Sequence, residues 1–341
     1  MLSQFFLFTG NKIILNSRNN SALKEFILPE WIDNSNSELD PVKVDAISTT
    51  DSSKVLKKIR PFHLNQLTVF NSNPYKLSKT ILKNPLLKHL WKLRSSPSYR
   101  KHTCKRLIIN SSIVKHTFIH TDAKFDNILT TDKELIDFVL SNPTYTQRFS
   151  RIQLVEKHIL QHCLRGTKEA YQVVDTIAEI TIPEPSDCRK PRLVVAFDNI
   201  KYTNNLGSLI RTSLALNVDL LYYLKGTTEP FNWKVSSVTG GLQFLIPHKC
   251  GTVNDLKQFC KRKNLLPVVA HIEGDPIDSI KFKGKGLCII LGNESEGPDT
   301  RILSFSRRVA LPMHPFMNSL NVSIAGAILI HQLQYTLLNS R

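Results

Sequence analysis

Short, continuous apolar runs dominate the second half of the chain. Leu193 to Phe197, Leu220 to Leu224, Leu266 to Ala270, Leu287 to Leu291 and Val309 to Leu311 each read as a buried strand. Helical patterns fall between and after them. Gly207 to Leu216 is entered from a polar turn, Val253 to Lys263 is amphipathic, and a closing helix spans about Val322 to Leu337. The start of that last helix, Val322 to Leu329, is apolar all round and is expected to be buried. Buried strands alternating with helices predict an α/β domain whose parallel sheet is covered on both faces.

The first half is less regular. Leu86, Leu87, Leu90 and Leu93 recur at helical spacing ahead of a strand-like run, Leu107 to Ile109. From Ser112 to Glu179 strands and helices are expected to alternate. Lys133 to Leu140 reads as a short helix and Ile113 to Ile119 as a mixed element, while Thr146 to Leu154 and Ala170 to Ile180 fit either type. Pro183, Pro185 and Pro191 then mark a linker. The expected organisation is an N-terminal extension over 1–80, a small α/β domain over 81–182, a linker over 183–191 and the parallel-sheet domain over 192–341.

Composition adds a partner class. The chain has 341 residues, 41% of them hydrophobic, which is enough for two folded domains and argues against wholesale disorder. Its 45 Lys and Arg against 28 Asp and Glu leave a formal net charge of +17. The excess is uneven: from Ser52 to Thr121 there are fifteen basic residues and no acidic one. The densest part supplies the candidate RNA-binding residues Lys88, Lys92, Arg94, Arg100, Lys101, Lys105 and Arg106, interleaved with Tyr75, Trp91 and Tyr99. Such a surface tracks phosphates and stacks bases. A basic linker accounts for Ser52 to Ser78 but not for the patterned stretch Leu86 to Ile109.

Other classes recede. The six cysteines are scattered without a C-x-x-C pair, so neither a metal site nor a disulfide framework is expected, and a reducing compartment fits. No run approaches the roughly 18 to 20 apolar residues of a membrane span. Met1 to Lys24 lacks acidic residues and carries Lys12, Arg18 and Lys24. That suits an organelle-targeting segment (mitochondrion or plastid type) and a polar tail of a cytoplasmic protein equally.

Three polar constellations sit where the sheet would place ligands. Asn204-Asn205-Leu206-Gly207 opens a helix after the first strand, and Arg211 follows one to two turns on. Leu291-Gly292-Asn293-Glu294-Ser295-Glu296-Gly297 follows the fourth strand, at its carboxyl end. Leu311-Pro312-Met313 and then Ser319-Leu320-Asn321-Val322-Ser323 lead into the apolar helix, whose N-terminus carries unsatisfied N–H groups. Singly, each reads as a cap or a polar turn. Their order is what is specific.

In that order they resemble the SpoU/TrmH branch of the SPOUT RNA methyltransferases, which shows Asn-x-Gly-x-x-x-Arg, Leu-Gly-Asn-Glu-x-x-Gly and Ile-Pro-Met followed by Ser-Leu-Asn-Val-Ser. The match covers about Arg192 to Leu337, and Leu87 to Val114 is similar to the start of the family's small substrate-binding domain. The resemblance implies a SPOUT domain with a C-terminal trefoil knot, preceded by a small L30e-like domain that binds the substrate RNA. It implies a homodimer. It further implies S-adenosylmethionine as methyl donor, held by Gly292, Leu311 and Leu320 with Asn293 and Met313, and no metal. The implied reaction methylates a ribose 2′-OH of structured RNA, with rRNA ranked ahead of tRNA. Arg211, Asn205, Glu294, Ser319 and Asn321 would form the catalytic group, with Arg211 orienting the target phosphate and favouring the developing oxyanion.

Two positions depart from the family pattern. Pro315 stands where relatives carry Gly, and Ser237 where many carry Arg. The rival reading is a non-catalytic RNA-binding protein on the same scaffold, against which Arg211 and Asn321 both argue. A dinucleotide-binding oxidoreductase would need G-x-G-x-x-G where the chain reads Tyr202-Thr203-Asn204-Asn205-Leu206-Gly207.

Overall fold

The computed structural model describes residues 8–9, 12–15, 24–27, 67–69, 84–166, 174–186, 188–280, 285–293, 296–314, 316–317 and 319–339. Glu294, Pro315 and Tyr75 lie outside them. The chain divides into two units, 1–57 and 58–341. In the first, β1 (Phe8–Thr9), β2 (Lys12–Leu15) and β3 (Lys24–Ile27) form an antiparallel sheet.

The second unit opens on β4 (Leu67–Val69), followed by α1 (Pro85–Ser95), α2 (Pro97–Thr103), β5 (Lys105–Ile109), α3 (Ser111–His120), β6 (Phe125–Thr130), α4 (Lys133–Ser141), α5 (Pro143–Thr146), β7 (Phe149–Leu154), α6 (Lys157–Leu164) and β8 (Thr176–Thr181). Three of these helices begin with the same device. Asn84, Ser96 and Asn142 each accept a backbone N–H from the first turn, and a proline follows each, pre-set for the first helical position. The strands form a mixed sheet ordered β4-β7-β6-β8-β5, with β8 antiparallel to both its neighbours. Alternate residues of β5 and β8 feed two cores. Leu107, Ile109 and Ile177 pack with Leu90, Leu93 and Leu160 on one face. Ile108, Ala178 and Ile180 pack with Phe118, Phe125 and Ile128 on the other. The stretch Ile113 to Ile119 is thus wholly helical, and Thr146 to Leu154 resolves into a strand from Phe149.

The described residues between 182 and 192 carry no regular element and lead to a parallel six-stranded sheet. Its elements are β9 (Leu193–Phe197), α7 (Thr203–Ala215), β10 (Leu220–Leu224), α8 (Trp233–Thr239), β11 (His248–Gly251), α9 (Val253–Arg262), β12 (Leu265–Pro276), β13 (Gly286–Leu291), α10 (Thr300–Leu303), β14 (Arg307–Ala310) and α11 (Val322–Asn339). The strand order is β11-β10-β9-β13-β12-β14, every pair parallel. The alternation of β9 shows why its whole run is apolar. Val195 and Phe197 meet Leu209 of α7 and Ile330 of α11, while Val194 and Ala196 meet Leu256 and Phe259 of α9.

One expectation fails here. Helix α11 is not buried all round: Ile324 is 54% exposed, and Ile328, Tyr335 and Leu338 are exposed with it. At 100° per residue these four fall on one stripe of the helix. The opposite side is packed so closely that a Cβ at 326 would lie 2.4 Å from Leu209 Cδ2 and 2.7 Å from Leu291 Cδ1, so these leucine methyls would have to shift for any other residue.

The two sheets of this unit are joined by specific contacts. Trp233 of α8 is buried in the core that holds Leu87, Leu90 and Leu107. Gly241, with φ +83°, lets the chain pass α3 so closely that a Cβ would sit 2.7 Å from Thr117 Oγ1. Arg100 Nε donates to Glu229 Oε2 at 2.7 Å, and Arg106 Nε lies 3.8 Å from the same oxygen.

His248 contributes a pH sensitivity to the parallel sheet. It is 3% exposed, beside Phe231 and Tyr223, and burial pushes its pKa down to about 4. The unfolded chain takes up this proton near pH 6.5 while the folded one resists until about pH 4. Stability is therefore full above pH 6.5 and falls as the pH drops through that window, by about 2 kcal/mol at pH 5. Urea midpoints measured at pH 7 and pH 5 should show the loss. His248→Phe, which suits the aromatic surroundings, should flatten the slope.

Candidate functional site

The three polar constellations converge at the carboxyl ends of β9 and β13. Asp198 N donates to Leu291 O at 2.9 Å, so the two strand ends stay hydrogen-bonded as the chain leaves the sheet. Beyond that point Asn293 Nδ2 donates to Asn199 O at 3.0 Å, and Asp299 N donates to Asp198 Oδ2 at 2.8 Å. Asp198 is 5% exposed; burial pushes its carboxyl upward, against the bond from Asp299 N. The loop after β13 is a tight structure of its own. Asn293 Oδ1 accepts Glu296 N, Asn293 O accepts Gly297 N, and Gly297 takes φ +71°. Gly292 is required by close approach: a Cβ would stand 2.7 Å from the backbone nitrogen of Pro298.

This loop walls a cavity of about 250 Å³. Gly292, Asn293, Leu311, Met313, Ser319 and Leu320 all line it, together with Leu291, Val309, Val322 and Leu329. The five residues expected to hold a ligand, from the second and third constellations, therefore share one mostly apolar wall. A second, more open concavity of about 430 Å³ is lined by Tyr202, Asn204, Asn205, Ser319, Leu320 and Asn321. Ser319 and Leu320 belong to both linings, so the two hollows are neighbours across that segment.

One amide ties the first constellation to the third. Asn321 Oδ1 accepts Ser323 N at 2.9 Å and Ser323 Oγ at 2.6 Å, capping α11. Its Nδ2 donates to Asn205 Oδ1 at 3.1 Å. A cap expected from sequence is thus also a strut that fixes Asn205.

Arg211 stands apart from both hollows. Six residues past Asn205, it lies about 9 Å further along α7. It is half-buried, and its Nη1 donates to the carbonyl of Val238 at 3.0 Å. Burial pushes its pKa down. Helices α7 and α8 can approach this closely because residue 207 is glycine: a Cβ there would lie 2.6 Å from Val238 Cβ. His116 of α3 is near enough to feel the charge. Its pKa is lowered by burial first, then by His120, whose tilted ring lies 4.3 Å away, and also by Arg211.

The basic stretch needs correction. Lys88, Lys92 and Lys101 are exposed beside exposed Trp91, as a phosphate-tracking face requires. Arg100 and Arg106 are not part of it. Each is only 8% exposed, Arg100 on Glu229 and the carbonyls of Leu93 and Arg94, Arg106 on the carbonyls of Arg100 and Lys105. Lys105 is paired with Asp126 and bonded to Thr181, and Arg94 donates to the carbonyl of Arg165. Tyr99 is held by His89, 2.8 Å from its hydroxyl, which in turn meets buried Glu179 at 2.8 Å. Basic residues at helical spacing include those facing inward, and sequence alone does not separate them.

Among the described residues no group of three or more His, Cys, Asp or Glu could hold a metal ion, and no helix is long and apolar enough to cross a membrane.

Comparison with known proteins agrees with this geometry. Residues 192–331 match the SpoU rRNA Methylase family. Over 145 residues the chain is 28% identical to the 23S rRNA (guanosine(2553)-2′-O)-methyltransferase of Bacillus subtilis, covering 42% of this chain and 58% of that protein. Over 142 residues it is 26% identical to the 23S rRNA (adenosine(1067)-2′-O)-methyltransferase of Streptomyces laurentii, covering 41% and 53%. The chain thus spans little more than half the length of these curated relatives. The crystal structure of the SpoU methyltransferase AviRb from Streptomyces viridochromogenes, in complex with AdoMet, superposes with a TM-score of 0.66 at 16% identity, over 76% of this chain and 100% of that one. Over residues 192–331, which hold most of its parallel sheet, the chain is similar to the SpoU rRNA Methylase family and to curated RNA 2′-O-methyltransferases.

Proposed function

We propose that the protein transfers a methyl group from S-adenosylmethionine to a ribose 2′-OH of structured RNA, with rRNA ahead of tRNA as substrate. The observation that carries this is the pair of adjoining hollows sharing Ser319 and Leu320, one mostly apolar and closed by a glycine loop, the other lined by asparagines. The names of the curated relatives, 2′-O-methyltransferases of 23S rRNA, support the same substrate class.

The first hollow suits the donor. Leu291, Val309, Leu311 and Leu329 offer an apolar wall for a purine, and Gly292 keeps backbone groups within reach of it. Bound there, S-adenosylmethionine supplies a methyl on a positively charged sulfur. Asn205 and Asn321, braced against each other, and Ser319 would hold the incoming ribose at the shared edge. Arg211, anchored on Val238 O, would orient the phosphate of the target nucleotide and favour negative charge on its 2′-oxygen. Glu294 keeps the role its motif implies.

The organisation proposed is an N-terminal extension over 1–80, an L30e-like RNA-binding domain over 81–182, a linker over 183–191 and a SPOUT domain over 192–341. Exposed Lys88, Lys92 and Lys101 support the RNA-binding part. The trefoil knot is proposed for the C-terminal segment, and Gly326 pressed under Leu291 supports a tightly threaded α11. A homodimer is proposed too, on the apolar stripe Ile324, Ile328, Tyr335 and Leu338.

The test is incubation with labelled S-adenosylmethionine and total RNA from the same source, followed by alkaline hydrolysis. Label in alkali-resistant dinucleotides is expected. RNA binding without donor binding or transfer would instead favour the non-catalytic scaffold. Gly292→Val should weaken donor affinity by tenfold or more in calorimetric titration, since its side chain must displace the loop through Pro298.

A further inference from the structure

Tyr202 occupies a position that local structure does not explain. It is the N-cap of α7, where Ser, Thr, Asp or Asn would satisfy a free N–H, and its side chain makes no capping bond. Among the described residues no hydrogen bond or ring contact of that side chain occurs, and it is 66% exposed. A large aromatic held in water at a helix start costs solvation and contributes no packing. Such breaches of local preference concentrate at functional sites.

Its surroundings say which function. Tyr202 forms one wall of the open hollow whose other walls are Asn204, Asn205, Ser319, Leu320 and Asn321. Every other side chain there except Leu320 is a small polar group suited to hydroxyls. Among the described residues Tyr202 is the sole ring in that lining, and its face is accessible. Single-stranded RNA is bound by splaying bases onto such rings, and a base whose ribose must reach a buried methyl donor has to leave its stack.

We propose that Tyr202 is the stacking platform for the nucleobase of the methylated nucleotide, setting substrate affinity and orientation while the asparagines hold its ribose. This rests on the ribose-methylation reading above. Stacking needs a flat ring and not the hydroxyl, so the proposal separates two substitutions that a hydrogen-bonding role would group differently.

The experiment uses the full chain, labelled S-adenosylmethionine and the RNA species that the wild-type protein labels. Tyr202→Ala should raise KM for RNA, and weaken RNA binding under donor-free conditions, roughly 5- to 100-fold. Donor affinity should be unchanged and sedimentation should give the wild-type mass. Tyr202→Phe and Tyr202→Trp should restore KM to within about twofold. A Phe variant as poor as Ala would overturn the proposal in favour of a hydroxyl contact. An Ala variant with wild-type KM, or one altered in oligomeric state, would overturn it as well. Wild-type protein that transfers no methyl to RNA would sink the ribose-methylation reading and this proposal with it, whereas the variant outcomes leave that reading standing.

Discussion

Arg211→Ala is expected to lower kcat by roughly 100- to 1000-fold while leaving donor affinity unchanged, because the residue lines neither hollow yet would act on charge that develops at their shared edge. The magnitude is that of removing one preorganised donor from a developing oxyanion. Preorganisation is visible in how the guanidinium is held: Nη1 on Val238 O at 3.0 Å, with Gly207 letting α8 come close enough to provide that carbonyl. Arg211→Lys keeps the charge but loses the planar fork, so it should recover only a small part of the activity. Single-turnover rates with saturating donor and RNA measure the effect directly. A lysine variant with nearly full activity would falsify the anchored, planar role and leave simple charge attraction.

Much of this site was legible as pattern. Gly292, Asn293, Leu311, Met313, Ser319 and Leu320 were picked from two segments about twenty residues apart and line one cavity, since both segments leave carboxyl ends of neighbouring parts of one parallel sheet. The strands were legible because burial on both faces makes them continuous apolar runs. What escaped the sequence shares a cause: it depends on partners that no local pattern encodes. The anchor of Arg211 is a backbone carbonyl, which any residue at 238 would offer. Thr176 to Thr181 fits either element type until β5 and β6 are known to flank it. The start of α11, Val322 to Leu329, reads as apolar all round, yet only one side finds a partner within the described residues of this chain, leaving Ile324 and Ile328 exposed. Short α8 carries a mixed pattern because Trp233 faces one domain while Val235 packs in the other.

The arginines of the basic stretch lead to the second large effect. Glu229→Ala should destabilise the junction between the mixed sheet and the parallel sheet by about 3 kcal/mol or more, far beyond what a surface ion pair is worth. The reason is what remains. Arg100 is 8% exposed with Nε aimed at Glu229, and Arg106, equally buried, lies 3.8 Å from the same carboxylate. Burial already pushes the Arg106 pKa down, and Glu229 is the charge that opposes it. Removing the carboxylate leaves two buried guanidinium groups facing each other across an uncompensated gap. Both sit at the seam, since Arg100 belongs to α2 and Glu229 to the turn before α8. The loss should therefore fall on docking more than on either core. Scanning calorimetry should show one transition split into two, with the mixed sheet melting first. The double variant Arg100→Met with Glu229→Ala should recover part of the loss, because it removes one of the two stranded charges while keeping apolar volume. If Glu229→Ala alone melts as one unshifted transition, the pair is dispensable, and Trp233 packed among Leu87, Leu90 and Leu107 holds the domains together by itself.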